Sequence, residues 1–453
     1  MSKPEYQNNI DFSRSDAAFG TGQRGTGIPP ETPATVQQSA QPEDAGIVLD
    51  LGEEDWAACA ELAQAPLILI RLGEALRRLG LAGERRAAML LFLALISRLL
   101  EHPVSIAMKG PSSAGKSNLV ECVLKFFPKS AYKALSAMSE KVLAYSPDPI
   151  SHKILVFYEA AGMGGEFANY FIRSLLSEGR LAYEVVVKCD AGYEVKRIER
   201  EGPTGLITTT TAIRLHPENE TRYLSVSVDD SPKQTGAVML AIAEDGRAGL
   251  DLEPWLALQR WLEGGEHRVV IPYAVTLAEM IPAVAVRLRR DFGTVLNLIR
   301  AQALLHRATR RRDSEGRIIA ELRDYVVIHM LAARLLAEGV ESTVPQTVRE
   351  TVAAVVRLTP GYGDEASLTQ VAKELGLDKS SASRRIRGAL QRGHLRNLEP
   401  HRRSPLRLVL GDPLPADIEV LPDPKALEAR CCSVALQSAD RGGGPEQAKG
   451  GDR

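Results

Sequence analysis

At 453 residues the chain has room for two or three domains, and 44% hydrophobic residues with a formal net charge of −1 give it the balance of a globular protein. So neutral a balance excludes any whole-chain electrostatic argument for a nucleic-acid or membrane partner; only local charge can point to one. The five cysteines, Cys59, Cys122, Cys189, Cys431 and Cys432, show neither C-x-x-C pairing nor Cys/His ligand spacing, so no zinc site or disulfide framework is indicated and a cytoplasmic location is expected.

Residues 1–45 are rich in Gly, Pro, Ser, Thr and Gln with few large apolar groups, and cannot bury enough surface to offset chain entropy. A disordered leader is expected there, with no apolar stretch of the signal-peptide kind. Residues 46–100 read as helical, with a break at Gly80-Leu81-Ala82-Gly83. The apolar run from Met89 to Ile96 is too short to span a bilayer and predicts a buried helix, so no membrane partner is expected.

An α/β core is expected over residues 101–264. Its first strand, Val104 to Met108, runs into Gly110, Pro111, Ser112, Ser113, Ala114, Gly115, Lys116 and Ser117, a G-x-x-x-x-G-K-S sequence. Beyond it Leu119, Cys122, Val123 and Phe126 recur at i, i+3, i+4 and i+7, one apolar face of a helix. Strand, loop and helix are the context a phosphate-binding loop needs. The two glycines let amide N–H groups turn toward phosphate oxygens, and the helix adds its positive end. Residues Gly110 to Asn118 are therefore expected to hold ATP, with Lys116 neutralising the β/γ-phosphates and Ser117 ligating Mg²⁺. The competing reading is a plain Gly/Ser turn.

The next apolar strand, Lys153 to Glu159, ends in an acid, the Walker B arrangement that brings a carboxylate to the sheet edge beside a nucleotide. Glu159 is the candidate for activating water and, with Ser117, for metal ligation. The alternative is a solvent-facing strand end. Tyr158 stands where an Asp ligand is usual, which leaves Ser117, Glu159 and waters for the metal. A helix from Glu166 to Ser177 precedes two β-rich runs, Leu181 to Val187 and Tyr193 to Glu199. Around a turn at Lys188 to Gly192 they predict a hairpin with Lys188 at its tip, either functional or decorative. The strand Gly205 to Thr211 ends in hydroxyls, and in P-loop ATPases the strand beside Walker B often ends in a polar group that bonds a γ-phosphate or attacking water. Arg222, before the strand Tyr223 to Val228, is a surface charge or an arginine finger for a neighbouring subunit.

Residues 265–345 read as a helical lid without further strand alternation, in which Val295, Leu298, Ile299, Gln302 and Leu305 share one face. Of the arginines ahead of that helix, Arg290 is the preferred candidate to reach a nucleotide. Over 346–412 two apolar helix faces flank Gly376, the spacing of a helix-turn-helix, and two β-rich runs follow it as a wing. Lys379, Ser380, Ser383, Arg384 and Arg387 on the second helix, with Arg402 and Arg403 in the wing, suit phosphates and base edges. A protein-docking module is the alternative. Residues 413–453 are expected to be a largely disordered tail.

In this order the P-loop, Glu159, the hairpin ahead of the threonine strand, Arg222 and the terminal winged helix resemble an AAA+ ATPase of the pre-sensor-hairpin branch. The chain looks most like the minichromosome-maintenance-like helicases of phages, plasmids and mobile elements, over roughly Leu81 to Leu410. The resemblance implies an α/β AAA+ core with a helical lid, followed by an α+β winged-helix domain. It implies catalytic roles for Lys116, Glu159, Thr209 or Thr210 and the trans-acting Arg222. It also implies Lys188 on single-stranded DNA in the channel of a homo-oligomer, a hexamer by preference, and duplex DNA at the winged helix. An ATP-gated DNA-binding regulator without unwinding activity is the alternative.

Overall fold

A computed structural model describes residues 47–136, 142–159, 166–189, 192–211, 222–244, 249–283, 285–341, 343–361, 363–399, 401, 404–414 and 419–441. Three helices open it: α1 (Ile47–Ala63), α2 (Ile68–Arg78) and α3 (Arg85–Ile96). Strand β1 (Ile106–Lys109) and α4 (Lys116–Leu124) follow, then β2 (Tyr132–Leu135), α5 (Val142–Tyr145), β3 (Lys153–Phe157) and α6 (Glu166–Glu178). A hairpin of β4 (Arg180–Cys189) and β5 (Gly192–Glu201) precedes β6 (Thr204–Thr210) and β7 (Leu224–Ser227). Then come α7 (Pro232–Ala243), α8 (Glu253–Glu263), β8 (Val269–Val270), α9 (Ala274–Met280), α10 (Leu288–Leu305), β9 (Ile318–Ile319) and α11 (Leu322–Glu341). The C-terminal part holds α12 (Gln346–Leu358), α13 (Leu368–Glu374), α14 (Lys379–Gln391), β10 (Leu395–Asn397), β11 (Leu408–Leu410) and α15 (Pro424–Arg441).

The protein is α/β, built on a parallel five-stranded sheet in the order β2-β3-β6-β1-β7. Both faces are covered, as parallel strands require. Ile106, Met108, Ile154, Val156 and Ile207 enter one core with α3, α4, α10 and α11. Ala107, Leu155, Phe157 and Leu206 enter the other, against Phe171, Ile172 and Leu175 of α6. Helix α3 is apolar nearly all round and buried from Leu90 to Ile96, so it is a core element. No helix among the described residues is long and apolar enough to cross a membrane. A third core, with Val348, Val355, Val371, Ile386 and Leu408, joins α12, α13 and α14 to the antiparallel pair β10–β11.

Four expectations need correction. Lys188 and Cys189 lie within β4 rather than in a turn, because strand pairing runs out to Cys189–Gly192. The 265–345 region contains the parallel pair β8–β9, whose two-residue strands are too short to leave a period-2 pattern. Arg289 and Arg290 lie inside the first turn of α10, not before it. The 413–453 tail is not largely disordered among its described residues: α15 forms, Val420, Leu421 and Leu427 enter the main core, and the Tyr325 hydroxyl donates to the Pro422 carbonyl at 2.6 Å. Residues 1–46 and 442–453, and Arg402 and Arg403 of the expected wing, lie outside the described residues.

His306 caps the C-terminal end of α10 and is buried. Burial, then the charges of Arg310 and Arg323, pushes its pKa down to about 3, against roughly 6.5 in an unfolded chain. Between those values the unfolded chain holds a proton that the folded one does not, so His306 makes the fold lose stability as pH falls below about 6.5. His306→Leu should therefore flatten the fall in stability between about pH 6 and 4.5 by up to about 1.4 kcal/mol per pH unit, read from urea unfolding of the main transition. Parallel pH profiles for the two proteins would contradict this.

Candidate phosphate-binding site

Strand β1 delivers the chain to a loop whose conformation its glycines allow. A side chain at Gly110 would put its Cβ 2.4 Å from Val228 Cγ2, so only a glycine lets the loop pass so close to the exit of β7. Gly115 sits at φ 81° and Ser113 at φ 65°, left-handed positions that turn successive amides toward one concavity. Gly115 is the N-cap of α4 and no side chain caps it, so the first-turn amides remain available to an anion. The Lys116 side chain is buried and its ammonium donates to the carbonyls of Gly110 at 2.8 Å and Pro111 at 2.6 Å. It thus lies folded along the inside of its own loop. Pro111, Ser112, Ser113, Ser117 and Asn118 are exposed and Ala114 is half-buried.

Strand register brings the other expected groups to this edge. Lys109 of β1 pairs with Thr210 of β6, and Phe157 of β3 pairs with Thr208, so Glu159 emerges next to the end of the threonine strand. Glu159 is exposed. Thr208, Thr209 and Thr210 are all buried. The Thr209 hydroxyl donates to the Tyr158 carbonyl, tying β6 to the exit of β3, and Thr210 is the strand's last residue. Tyr158 is half-buried and packs against the main core. Burial, with Glu121 of α4 and Tyr132 nearby, raises its phenol above the usual range. Its role here is packing and a backbone acceptor.

Arg222 lies at the opposite edge of the sheet, ahead of β7, whose Leu224 pairs with Ile106 while its Ser227 pairs with Lys109. The length of β7 alone, about 13 Å at 3.3 Å per residue, separates Arg222 from the loop. Its Nε donates to Ser177 Oγ at 2.8 Å. Burial, then the guanidiniums of Arg290 and Arg173, pushes its pKa below that of an ordinary arginine. Arg290 thus belongs with Arg222 rather than beside the loop of its own chain. Arg173 of α6 was not evident from the sequence, since a lone arginine on an amphipathic helix carries no pattern.

Lys188 is exposed on the hairpin and pairs with Tyr193. In the C-terminal part, Lys379, Ser380, Arg384 and Arg387 are exposed on α14 and Ser383 is half-buried. Ion pairs turn Arg385 to Glu350 at 2.7 Å and Arg407 to Glu365 at 2.6 Å, which removes both from the basic face. No family model matches the chain and no curated protein sequence does.

The loop suits a triphosphate, because a phosphate can replace the two carbonyls that now hold the Lys116 ammonium and gains the uncapped amides of α4. For Mg²⁺ the expected oxygen donors would be Ser117 and Glu159. That pair is enough for an ion that keeps several waters and takes one or two carboxylates beside phosphate oxygens. Among the described residues no group of three or more His, Cys, Asp or Glu gathers.

The contact at Gly110 gives a two-step test. Gly110→Ala should weaken binding of a fluorescent ATP analogue by at least about tenfold, the effect of a steric clash of about 1.4 kcal/mol or more. Val228→Ala removes the opposing methyl, so the double variant should recover most of that loss. No recovery would mean that the loop depends on Gly110 for another reason.

Proposed function

We propose that the chain is an ATP-driven motor on single-stranded DNA, an AAA+ ATPase with a helical lid and a winged helix, working as a homo-oligomer with hexamers preferred. The observation that carries this reading is the separation of Gly110–Ser117 and Arg222 to opposite edges of one sheet, with an exposed hairpin inserted ahead of β6. A site divided in that way is completed by a second copy. Heterologous contacts of this kind give rings where the rotation between copies closes. Helix α7 supports a subunit contact at the loop edge: it follows β7 with no buried residue, and Met239, Leu240 and Ile242 are 62%, 67% and 72% exposed.

In this mechanism Lys116 and the α4 amides bind and orient the phosphates. Ser117 and Glu159 would hold Mg²⁺, which would supply charge neutralisation to the phosphates. Glu159 accepts a proton from the attacking water and aligns it, and the end of β6, through Thr209 or Thr210, fixes the position of that water and of Glu159. Arg222 of the neighbour, with Arg290 and Arg173 beside it, meets charge that develops on the transferred phosphoryl group. Because β4 and β5 lead directly into β6, a change at the threonine end of that strand can be transmitted to the hairpin and its Lys188.

The exposed Arg384, Arg387 and Ser380 of α14 favour duplex binding and keep a second reading alive, a nucleotide-gated DNA-binding regulator. ATP hydrolysis with and without single-stranded DNA, measured alongside fork unwinding, decides between them. The motor should be stimulated by the strand and should separate the fork. Lys116→Ala should lose turnover, while Lys188→Ala should keep basal turnover and lose most of the stimulation. A sequence-specific duplex footprint without strand separation would select the regulator.

A further inference from the structure

We propose that Tyr193 is a nucleobase-stacking platform at the end of the β4–β5 ribbon, acting with Lys188 on a single strand. This rests on the reading of the ribbon as a DNA-gripping element and adds how it grips. The register pairs Lys188 with Tyr193, Val186 with Val195 and Glu184 with Arg197, and paired residues of alternate rungs share one face of the ribbon. The intervening rungs face the other way. On that other face Tyr183 and Ile198 pack at the ribbon base, where the Tyr183 and Phe171 rings lie 5.2 Å apart.

The ribbon is therefore anchored through one face at its root and presents the opposite face outward. Tyr193 is 79% exposed and Val186 and Val195 are each 61% exposed, so an aromatic ring, two branched aliphatic side chains and one ammonium stand together in solvent. Pairing of Val186 with Val195 across the strands helps hold the ribbon, yet it leaves their outer surface and the Tyr193 ring in water. The combination fits a ligand with a flat apolar surface and an anion one residue away. A nucleotide in a single strand has both: a π-face for Tyr193, with Val186 and Val195 as a floor, and a phosphate within reach of Lys188. Cross-strand neighbours stand about 5 Å apart, a spacing that lets ring and ammonium serve adjoining parts of one strand. Stacking of this kind is indifferent to base identity, as a translocating contact must be.

Binding is measured by fluorescence anisotropy on the full chain carrying Arg384→Ala and Arg387→Ala, so that α14 does not mask the ribbon. The probes are oligo-dT and an abasic oligomer of the same length and charge. Tyr193→Leu should weaken oligo-dT about tenfold and leave the abasic oligomer unchanged, Tyr193→Phe should match the parent, and Lys188→Ala should weaken both. Undiminished oligo-dT binding by Tyr193→Leu, or equal losses on the two probes, would overturn the stacking role. If that happens while Lys188→Ala still weakens binding, the ribbon keeps its DNA-gripping role and only the stacking falls. If neither Tyr193→Leu nor Lys188→Ala has an effect, or the parent binds neither probe, both the stacking and the ribbon's contact with DNA are wrong.

Discussion

The arrangement depends on the pairing of β1 with two parallel neighbours. β6 on one side and β7 on the other are held in register so that Lys109 faces Thr210 and Ser227. That register collects the phosphate loop, the end of the threonine strand and Glu159 at one edge. It also sends Arg222, which precedes β7, to the other edge. Backbone hydrogen bonds in a sheet buried on both faces cannot slip without moving every side chain to the wrong face. The separation of Arg222 from its own loop is therefore a fixed property of the fold. Any chemistry that uses both must use two chains.

Close packing sharpens the loop edge. Val228, one residue past β7, fills the space that a side chain at Gly110 would need, and its amide donates to the Lys109 carbonyl at 2.9 Å. Glu84, at the start of α3, accepts from the Asp229 amide at 2.5 Å and so links the N-terminal helices to the same exit. Burial, ahead of the nearby Asp229 charge, raises the Glu84 pKa against the lowering effect of that bond. The Thr209 bond to the Tyr158 carbonyl likewise ties β6 to the residue before Glu159. Strand geometry brings Lys116, Glu159, Thr209 and Thr210 to one edge. The β4–β5 ribbon is packed at its root through Tyr183 and Ile198, while Val186, Tyr193 and Val195 further out are exposed.

Much of the site was legible because a few residue types are obligatory in it. The glycines at 110 and 115, the lysine after them and the apolar strand before them leave little choice of local structure. The short continuous apolar runs of β1 and β3, buried on both faces, and the long helix faces were legible too, the runs by composition and the faces by period. What lay beyond reach was whatever depends on distant pairing. The meeting of Arg173, Arg222 and Arg290 joins residues from three elements. The two-residue strands β8 and β9 exist only through each other. Helix α15 was hidden because the apolar groups that anchor its start, Val420, Leu421 and Leu427, are few and their partners lie on other helices. In the C-terminal part the sequence showed the basic residues but not the ion pairs of Arg385 on α14 and Arg407 ahead of β11 that thin the positive face.

The most direct measurement of the central claim, a nucleotide site shared between two copies, is ATP turnover by mixtures of two inactive variants. Lys116→Ala removes the loop cation but keeps Arg222, and Arg222→Ala does the reverse. In oligomers assembled from equal amounts, about a quarter of the contacts would join an intact loop to an intact arginine. The mixture should therefore recover turnover that neither variant shows alone, to a fraction of that order. Turnover no greater than the sum of the separate variants, in mixtures shown to co-assemble, would contradict the shared site.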